Sequence, residues 1–148
     1  MRVSRKLSPI SLDETQILGL VKYCQAQSDV LALYLYGSYG TPYQTALSDV
    51  DLAVLPLPGV RWDIQRELEI SSGLAGLGGN EDINSVNLRQ VPVTLQFKVL
   101  ETGRLLFCRD QELLADFIAE VILRHADFSI DLAAFYRDYD AAVREEFL

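Results

Sequence analysis

Two short apolar runs, separated by a polar segment, stand out in the hydrophobic pattern of the chain. The first covers residues 30–36 and ends at Gly37-Ser38, and the second covers residues 50–55 and begins at Asp49-Val50-Asp51. Both runs are rich in aliphatic or aromatic residues and too short for core helices, so they predict buried strands. The segment 41–47 between them has room for only one or two helical turns.

Helical and strand patterns alternate around these two runs. Ser11-Leu12-Asp13-Glu14 has the pattern of a capping box and predicts a helix over about 12–27. A second helix is predicted over about 61–76, with Ile64, Leu68 and Ala75 among its inward positions. Further along, the pattern predicts a third strand over 81–88, a helix from Pro92 to about Glu101 stopped by Gly103, and a short apolar segment over 104–108.

The remainder of the chain, residues 110–148, is helical in pattern and carries two apolar stripes. His125-Ala126-Asp127 is expected to mark a bend or break between them. The first stripe contains Leu113, Leu114, Phe117, Ile118, Val121 and Ile122; the second contains Leu132, Phe135 or Tyr136, Tyr139 and Val143. This apolar surface exceeds what a small sheet needs, so the exposed remainder is predicted to bind a partner.

These elements predict an α/β (α+β) fold with a small mixed sheet of three to four strands flanked by helices. A chain of 148 residues is most simply one structural unit. We divide it into a domain over residues 1–108 and a helical C-terminal extension over residues 109–148. The extension is expected to pack on the domain, on a partner, or on both.

Composition and charge narrow the class of protein. The net charge of −8 disfavours direct nucleic-acid binding, which depends on neutralising phosphates with Lys and Arg. No apolar run reaches the roughly 18 residues of a membrane span, and the N-terminal residues do not have the apolar segment of a secretory signal. Cys24 and Cys108 lack metal-ligand spacing and are predicted to be free thiols. Free thiols, together with the lack of a membrane span and of a secretory signal, predict a cytoplasmic protein.

Asp49 and Asp51 are the strongest candidates for a chemical role. Side chains alternate along a strand, so both point to one face, with Cα atoms about 6.5 Å apart. Carboxylate oxygens at this spacing suit one or two Mg²⁺ ions. Gly37 lets the backbone approach phosphate oxygens, and Ser38 offers a hydroxyl donor. The alternative is a structural role in which both aspartates only cap neighbouring backbone.

The motif formed by Gly37-Ser38, ten residues and Asp49-x-Asp51 resembles the signature of the DNA polymerase β-like nucleotidyltransferases. The downstream segment from Asn87 to Leu106 resembles the MNT branch of minimal nucleotidyltransferases, and the likeness covers roughly residues 15–107. It implies a nucleotidyltransferase-like fold and an antitoxin of a HEPN/MNT toxin–antitoxin pair, in a hetero-oligomer with its HEPN ribonuclease toxin. Such a protein transfers AMP from ATP to a tyrosine of the toxin. Gly37 and Ser38 would then bind the ATP phosphates, and Asp49 and Asp51 would ligate Mg²⁺.

The chain departs from the family at the third predicted strand. Relatives use another carboxylate there as metal ligand or base, whereas Asn84 and Asn87 stand at the matching positions here. Asp82 lies on the same strand face as Asn84 and would substitute for this catalytic carboxylate only after a shift in strand register. Metal binding through Asp49 and Asp51 is expected to persist, with a reduced or lost transferase rate.

Two other functions remain open at this point: neutralisation of the toxin by binding alone, and nucleotide transfer to a small molecule. The remaining polar and aromatic candidates have simpler explanations. We expect His125 at the surface or at a helix end, Tyr34 half-buried, and the basic residues at the surface or in local ion pairs. The basic residues that could contact phosphates are Arg89, Lys98 and Arg104. Tyr39 and Tyr43 are candidates for stacking on adenine, but packing in the core or a loop is the simpler role for these two tyrosines and for Tyr36.

Overall fold

Four strands form one mixed sheet in the structure, a computed structural model that describes residues 12–37, 50–79 and 82–147. The sheet order is β3-β2-β1-β4; β1 is antiparallel to both β2 and β4, and β2 is parallel to β3. The elements are α1 (Glu14–Ala26), β1 (Val30–Tyr36), β2 (Val50–Pro56), α2 (Ile64–Ala75), β3 (Ile83–Asn87), α3 (Val93–Thr102), β4 (Arg104–Cys108) and α4 (Gln111–Phe147). The predicted mixed sheet flanked by helices is confirmed, while the predicted helical turns over 41–47 lie outside the described residues.

Helices cover both faces of the sheet, which explains why β1 and β2 are apolar almost throughout. The first face packs against α1 and α2, and the second face packs against α3 and α4. Buried strand residues of the first face are Val30, Leu33, Leu35, Val50, Leu52, Val54, Ile83 and Phe107. Those of the second face are Leu31, Ala32, Tyr34, Ala53 and Leu55. The short apolar segment 104–108 is the edge strand β4.

The N-terminus of α1 shows that the predicted capping box was misplaced. Asp13, and not Ser11, is the N-cap: its Oδ1 accepts from the Gln16 N–H at 2.7 Å, and Gln16 Oε1 accepts from the Asp13 N–H at 3.0 Å. The box therefore uses glutamine rather than Glu14 at the third helical position. Leu12, just before the cap, is buried in the first cluster.

Two arginine side chains stabilise the connection between α1 and β1 through hydrogen bonds. The Arg109 Nη2 donates to the carbonyls of Cys24, Gln25 and Gln27 at 3.1, 3.1 and 2.9 Å. These carbonyls belong to the end of α1, where helical partners are missing and a cation is favourable. A second arginine, Arg66 of α2, forms a bidentate pair with Asp29, with N···O distances of 3.0 and 2.7 Å.

The outward face of α2 carries the residues that the sequence predicts to point inward. Ile64 and Leu68 are 77% and 61% exposed, and Ala75 is also exposed. The buried residues are instead Ile70 and Leu74, on the other side of the helix. The prediction was wrong because α2 has apolar residues at helical spacing on two faces, and spacing alone does not identify the inner one.

The last helix, α4, is continuous over 37 residues, so the expected break at His125-Ala126-Asp127 is absent. No glycine or proline occurs between residues 104 and 148 to interrupt it. Leu114, Phe117 and Val121 are buried on the second face of the sheet. Within the described residues, no helix is long and apolar enough to cross a membrane.

Both cysteines are free thiols, as predicted. Cys24 is fully buried under the first face, and this burial raises the pKa of its thiol to about 12. Cys108, in the edge strand β4, is half-buried. Cys24 therefore has no nucleophilic role at neutral pH, because the thiolate is the nucleophilic form.

Candidate functional site

Three residues on neighbouring strands form a polar row across one end of the sheet. Asp51 pairs with Tyr36 of β1 on one side and with Asn84 of β3 on the other. Paired residues of adjacent strands point to the same face. Ala53 and Leu55 have the same parity as Asp51 and lie in the second cluster, so this row lies on the second face. Asp51 is half-buried and Asn84 is exposed.

Gly37 lies directly against the Asp51 carboxylate. Its φ of 84° is in the left-handed region, which glycine adopts without a steric penalty. A Cβ at this position would lie 2.6 Å from Asp51 Oδ2. A side chain at residue 37 would therefore fill the space that the carboxylate occupies, so the motif glycine has a direct geometric role at the acidic group.

Tyr36 is a member of this row that the sequence did not single out for the site. Burial raises the pKa of its hydroxyl, and the negative charge of Asp51 raises it further. The phenol therefore stays protonated at neutral pH and can donate a hydrogen bond. Strand alternation would have placed Tyr36 on the face of Tyr34, but only the pairing with β2 brings it beside Asp51.

The register in which β3 pairs with β2 determines whether Asp82, just before β3, lies beside Asp51. Asn84 pairs with Asp51, and the shift that would put Asp82 in that position is not observed. The Asp82 carbonyl accepts from the Val50 N–H at 2.8 Å, which extends the parallel ladder by one step before β3 begins. Asp82 is exposed and lies two residues from Asn84 on the same strand face.

The other half of the predicted site, Ser38 and Asp49, lies outside the described residues, as do Tyr39 and Tyr43. Among residues 12–37, 50–79 and 82–147, no group of three or more His, Cys, Asp or Glu residues is placed to bind a metal ion. The described donors at this end of the sheet are a carboxylate and an amide. These are hard oxygen ligands of the kind that Mg²⁺ prefers.

Arg89, one of the secondary candidates for phosphate contacts, has a structural role instead. Arg89 Nε donates to the Pro56 carbonyl at 2.8 Å, and its guanidinium lies 5.1 Å above the Phe117 ring. Pro56 is the last residue of β2, so Arg89 is at the opposite end of the sheet from Asp51.

Lys98 and Arg104 are exposed, as expected for surface residues. Tyr34 is 5% exposed, and so is buried rather than half-buried. His125 is neither at a helix end nor fully solvated: it stacks on Phe97 at 3.9 Å between ring centroids.

A groove of about 360 Å³ lies between α2 and the edge of β3. Three of its strand residues, Val54, Ser85 and Asn87, have the parity of the first face, opposite to Asp51 and Asn84, while Val86 contributes from the exposed edge of the sheet. The groove is therefore separate from the polar row, and Asn87 hydrogen-bonds there to Glu67 at 3.2 Å. Asn87 takes no part in the row, although the sequence comparison pairs it with a family acid.

The family model described as polymerase beta, nucleotidyltransferase, matches residues 19–112. This range is more than half of the chain and includes all four strands. The chain belongs to this nucleotidyltransferase family. The family inferred from the Gly37-Ser38 and Asp49-x-Asp51 spacing is thereby confirmed. No protein with a curated description matches the sequence significantly.

Solved structures of the same fold come from toxin–antitoxin complexes. A chain in a toxin–antitoxin crystal structure with AMP-PNP is 26% identical, with a TM-score of 0.67, and the match covers 86% of this chain and 98% of that chain. A complex of a tri-AMPylated Shewanella oneidensis HEPN toxin with an MNT antitoxin gives 23% identity and a TM-score of 0.66, with the same coverage of 86% and 98%. This chain thus shares its nucleotidyltransferase fold with chains of MNT antitoxin–HEPN toxin complexes.

Proposed function

We propose that this chain is the antitoxin of a HEPN/MNT toxin–antitoxin pair and transfers AMP from ATP to a tyrosine of its HEPN ribonuclease toxin. The observation that carries the proposal is the contact between Gly37 and the Asp51 carboxylate, within a chain of the polymerase β nucleotidyltransferase family. Gly37 and Asp51 come from the two halves of the G-S-x10-D-x-D motif. The similarity to complexes with AMP-PNP and with an AMPylated toxin supports the choice of reaction.

The residues of this chain would divide the work of nucleotide transfer between two adjacent segments. Gly37 and Ser38 would bind the ATP phosphates, and the carboxylates of Asp49 and Asp51 would ligate Mg²⁺. Bound Mg²⁺ supplies charge neutralisation for the attacking and leaving oxygens. The Asp51 carboxylate occupies the space that a Cβ of residue 37 would need, so the motif glycine allows this carboxylate to lie where it would bind a metal. A tyrosine oxygen then attacks the α-phosphorus, the bond to the β-phosphate oxygen breaks, and pyrophosphate leaves.

The proton of the attacking tyrosine needs an acceptor, and Asn84 is not one. An amide beside Asp51 ligates a metal weakly through its carbonyl oxygen, but it brings no negative charge and cannot act as a general base. Asp82 precedes β3, and the register shift that would bring it beside Asp51 is not observed. We therefore expect slow transfer.

The position of Asn84 also favours a second function, in which the protein neutralises its toxin by contact alone. In this case the nucleotidyltransferase domain, residues 1–108, is a scaffold, and the helical extension, residues 109–148, contributes to the hetero-oligomer. The division of the chain at residue 108 remains a prediction. β4 ends at Cys108 and α4 begins at Gln111, so the boundary falls in a connection between elements.

Measuring the mass of the toxin distinguishes AMP transfer from neutralisation by binding alone. The purified chain is incubated with Mg-ATP and the HEPN toxin, and the intact mass of the toxin is recorded with its ribonuclease activity. Additions of whole AMP units, lost on Asp51→Asn or on removal of Mg²⁺ with EDTA, support the transferase. Inhibition without any mass change contradicts it and favours binding alone. AMP transfer to a small hydroxylated acceptor but never to the toxin contradicts both.

A further inference from the structure

The second half of α4 exposes large apolar side chains to solvent. Residues 126–133 are all exposed, and Phe128 and Leu132 remain 41% and 39% exposed. The helix nevertheless continues to Phe147, so about 22 residues, or about 33 Å, extend past His125. An isolated helix of this length is marginally stable in water without packing on one face.

One heptad register, apolar at every position except His125, runs from the packed half of α4 into the exposed half. The residues occur at alternating spacings of four and three: Leu114, Ile118, Val121, His125, Phe128 and Leu132. Leu114 and Val121 are buried against the sheet, Ile118 packs on the same cluster, and His125 stacks on Phe97. Phe128 and Leu132, which we term the distal seam, continue this face. A 4-3 spacing is the pattern by which two helices pair, so the occupant that fits the seam is another helix.

The charges beside the distal seam are acidic. Between residues 126 and 141 the chain has Asp127, Asp131, Asp138 and Asp140, against a single basic residue, Arg137. With Phe128 and Leu132 at core positions, Asp131 and Asp138 take the flanking g position of the heptad, where charges select the partner. Antiparallel pairing with a second copy would bring these acidic rows together, whereas a helix with Lys or Arg at the facing positions complements them.

We propose that residues 126–141 are a docking helix that pairs, through the distal seam of Phe128 and Leu132, with a helix of a basic partner protein. That this partner is the HEPN toxin rests on the function proposed above. The apolar register and the acidic flank do not depend on that function. Two probes therefore test the proposal, one without the toxin and one with it.

The first probe is a synthetic helical peptide of four heptads with leucine at the core positions and lysine at both flanking positions. Its binding to the full-length chain is measured by fluorescence anisotropy, beside a peptide with glutamate at the flanking positions. We expect the lysine peptide to bind, to weaken as salt increases, and to exceed the glutamate peptide at least about tenfold in affinity. Equal binding of the two peptides, or none by the lysine peptide, overturns the proposal.

Leu132 and Ile130 provide matched variants within one turn of α4. Both are exposed aliphatic residues of the same size, but Ile130 lies on the opposite side of the helix from the distal seam. Leu132→Ser should weaken peptide binding at least about tenfold, and Ile130→Ser should leave it unchanged. Circular dichroism of the two variants checks that they lose equal helicity. If the two variants reduce peptide binding equally, the distal seam is not the binding surface and the proposal is overturned. If the wild-type chain is a dimer and Leu132→Ser dissociates it, the seam binds a second copy of the chain, which also overturns the proposal.

The second probe is the HEPN toxin itself, in a complex formed with the full-length chain. Leu132→Ser should raise the dissociation rate of this complex at least about tenfold relative to Ile130→Ser. A complex that resists Leu132→Ser overturns the toxin as the occupant. Failure of the wild-type chain to bind or modify the toxin refutes the proposed function, while the peptide result still decides the docking helix.

Discussion

Replacing Gly37 by alanine perturbs the backbone and the acidic group at the same time. The φ of 84° costs an alanine about 1–2 kcal/mol, of which the lower entropy of the unfolded chain offsets about 0.4–1 kcal/mol. The added Cβ also lies 2.6 Å from Asp51 Oδ2, well inside normal contact distance. Displacing the carboxylate or straining the turn adds about 1–3 kcal/mol, the usual cost of inserting a methyl group into filled space.

Gly59 provides the control because it has the same backbone conformation without the contact. Its φ is 79°, and nothing lies within 4 Å of an added Cβ. Gly59→Ala should lower the unfolding free energy by about 1 kcal/mol, equivalent to about 2–4 °C in Tm for a chain of this size. Gly37→Ala should cost about 2–4 kcal/mol unless the carboxylate moves aside, in which case stability falls less and ligand binding falls more.

The assay combines urea unfolding with calorimetric titration of Mg-ATP into each variant. We expect Gly37→Ala to weaken Mg-ATP binding at least about tenfold and to reduce AMP transfer by up to about a hundredfold, since a displacement of about 1 Å at a reacting centre has this effect. Gly59→Ala should bind Mg-ATP as the wild type does. If the two variants lose stability and ligand binding equally, the contact between Gly37 and Asp51 has no functional role.

Three further predictions concern other side chains. Asn84→Asp should raise the AMP-transfer rate at least about tenfold by supplying a carboxylate beside Asp51, whereas Ser85→Asp, on the opposite face, should not; equal rates would argue against the site. The hydrogen-bonded guanidinium beside Asp29 lowers the pKa of that carboxyl, so its stabilising effect is present above the ordinary carboxyl pKa and lost as pH falls through the lowered value. Asp29→Asn should therefore flatten the acid side of a Tm-against-pH curve, and an unchanged slope would contradict this. Arg109→Ala should lower the free energy of unfolding, measured in urea, by about 2 kcal/mol, because the carbonyls at the end of α1 lose a charged donor. A decrease smaller than about 0.5 kcal/mol would refute the stabilising role of Arg109.

The sequence predicts elements well where local chemistry decides them. β1 and β2 are short apolar runs bounded by turn residues. Gly103 ends α3 as predicted: its N–H makes the last helical bond, to the Val99 carbonyl at 2.7 Å, and its ψ of 160° is extended. The unbroken α4 was predictable in principle from the lack of glycine and proline after Gly103. The polar residues at His125-Ala126-Asp127 interrupt the apolar stripe and so predict a break there, but stacking on Phe97 keeps His125 packed.

Tertiary partners decide the features that the sequence did not predict. Ile64 and Leu68 share a helical face that is apolar enough to be buried, yet α2 turns that face toward the open edge of β3. The same limit applies to the site. The motif spacing identifies Gly37 and Asp51, but only the pairing of β2 with β1 and β3 places Tyr36 and Asn84 on either side of the carboxylate.

Asn84 has an evolutionary consequence that follows from its place on the sheet. It is exposed at the beginning of an edge strand, so a change of its side chain does not disturb either apolar cluster. Asparagine and aspartate have the same shape, and their codons differ by one base. A single mutation at Asn84 therefore supplies an acid beside Asp51 without altering either apolar cluster or the surface of α4.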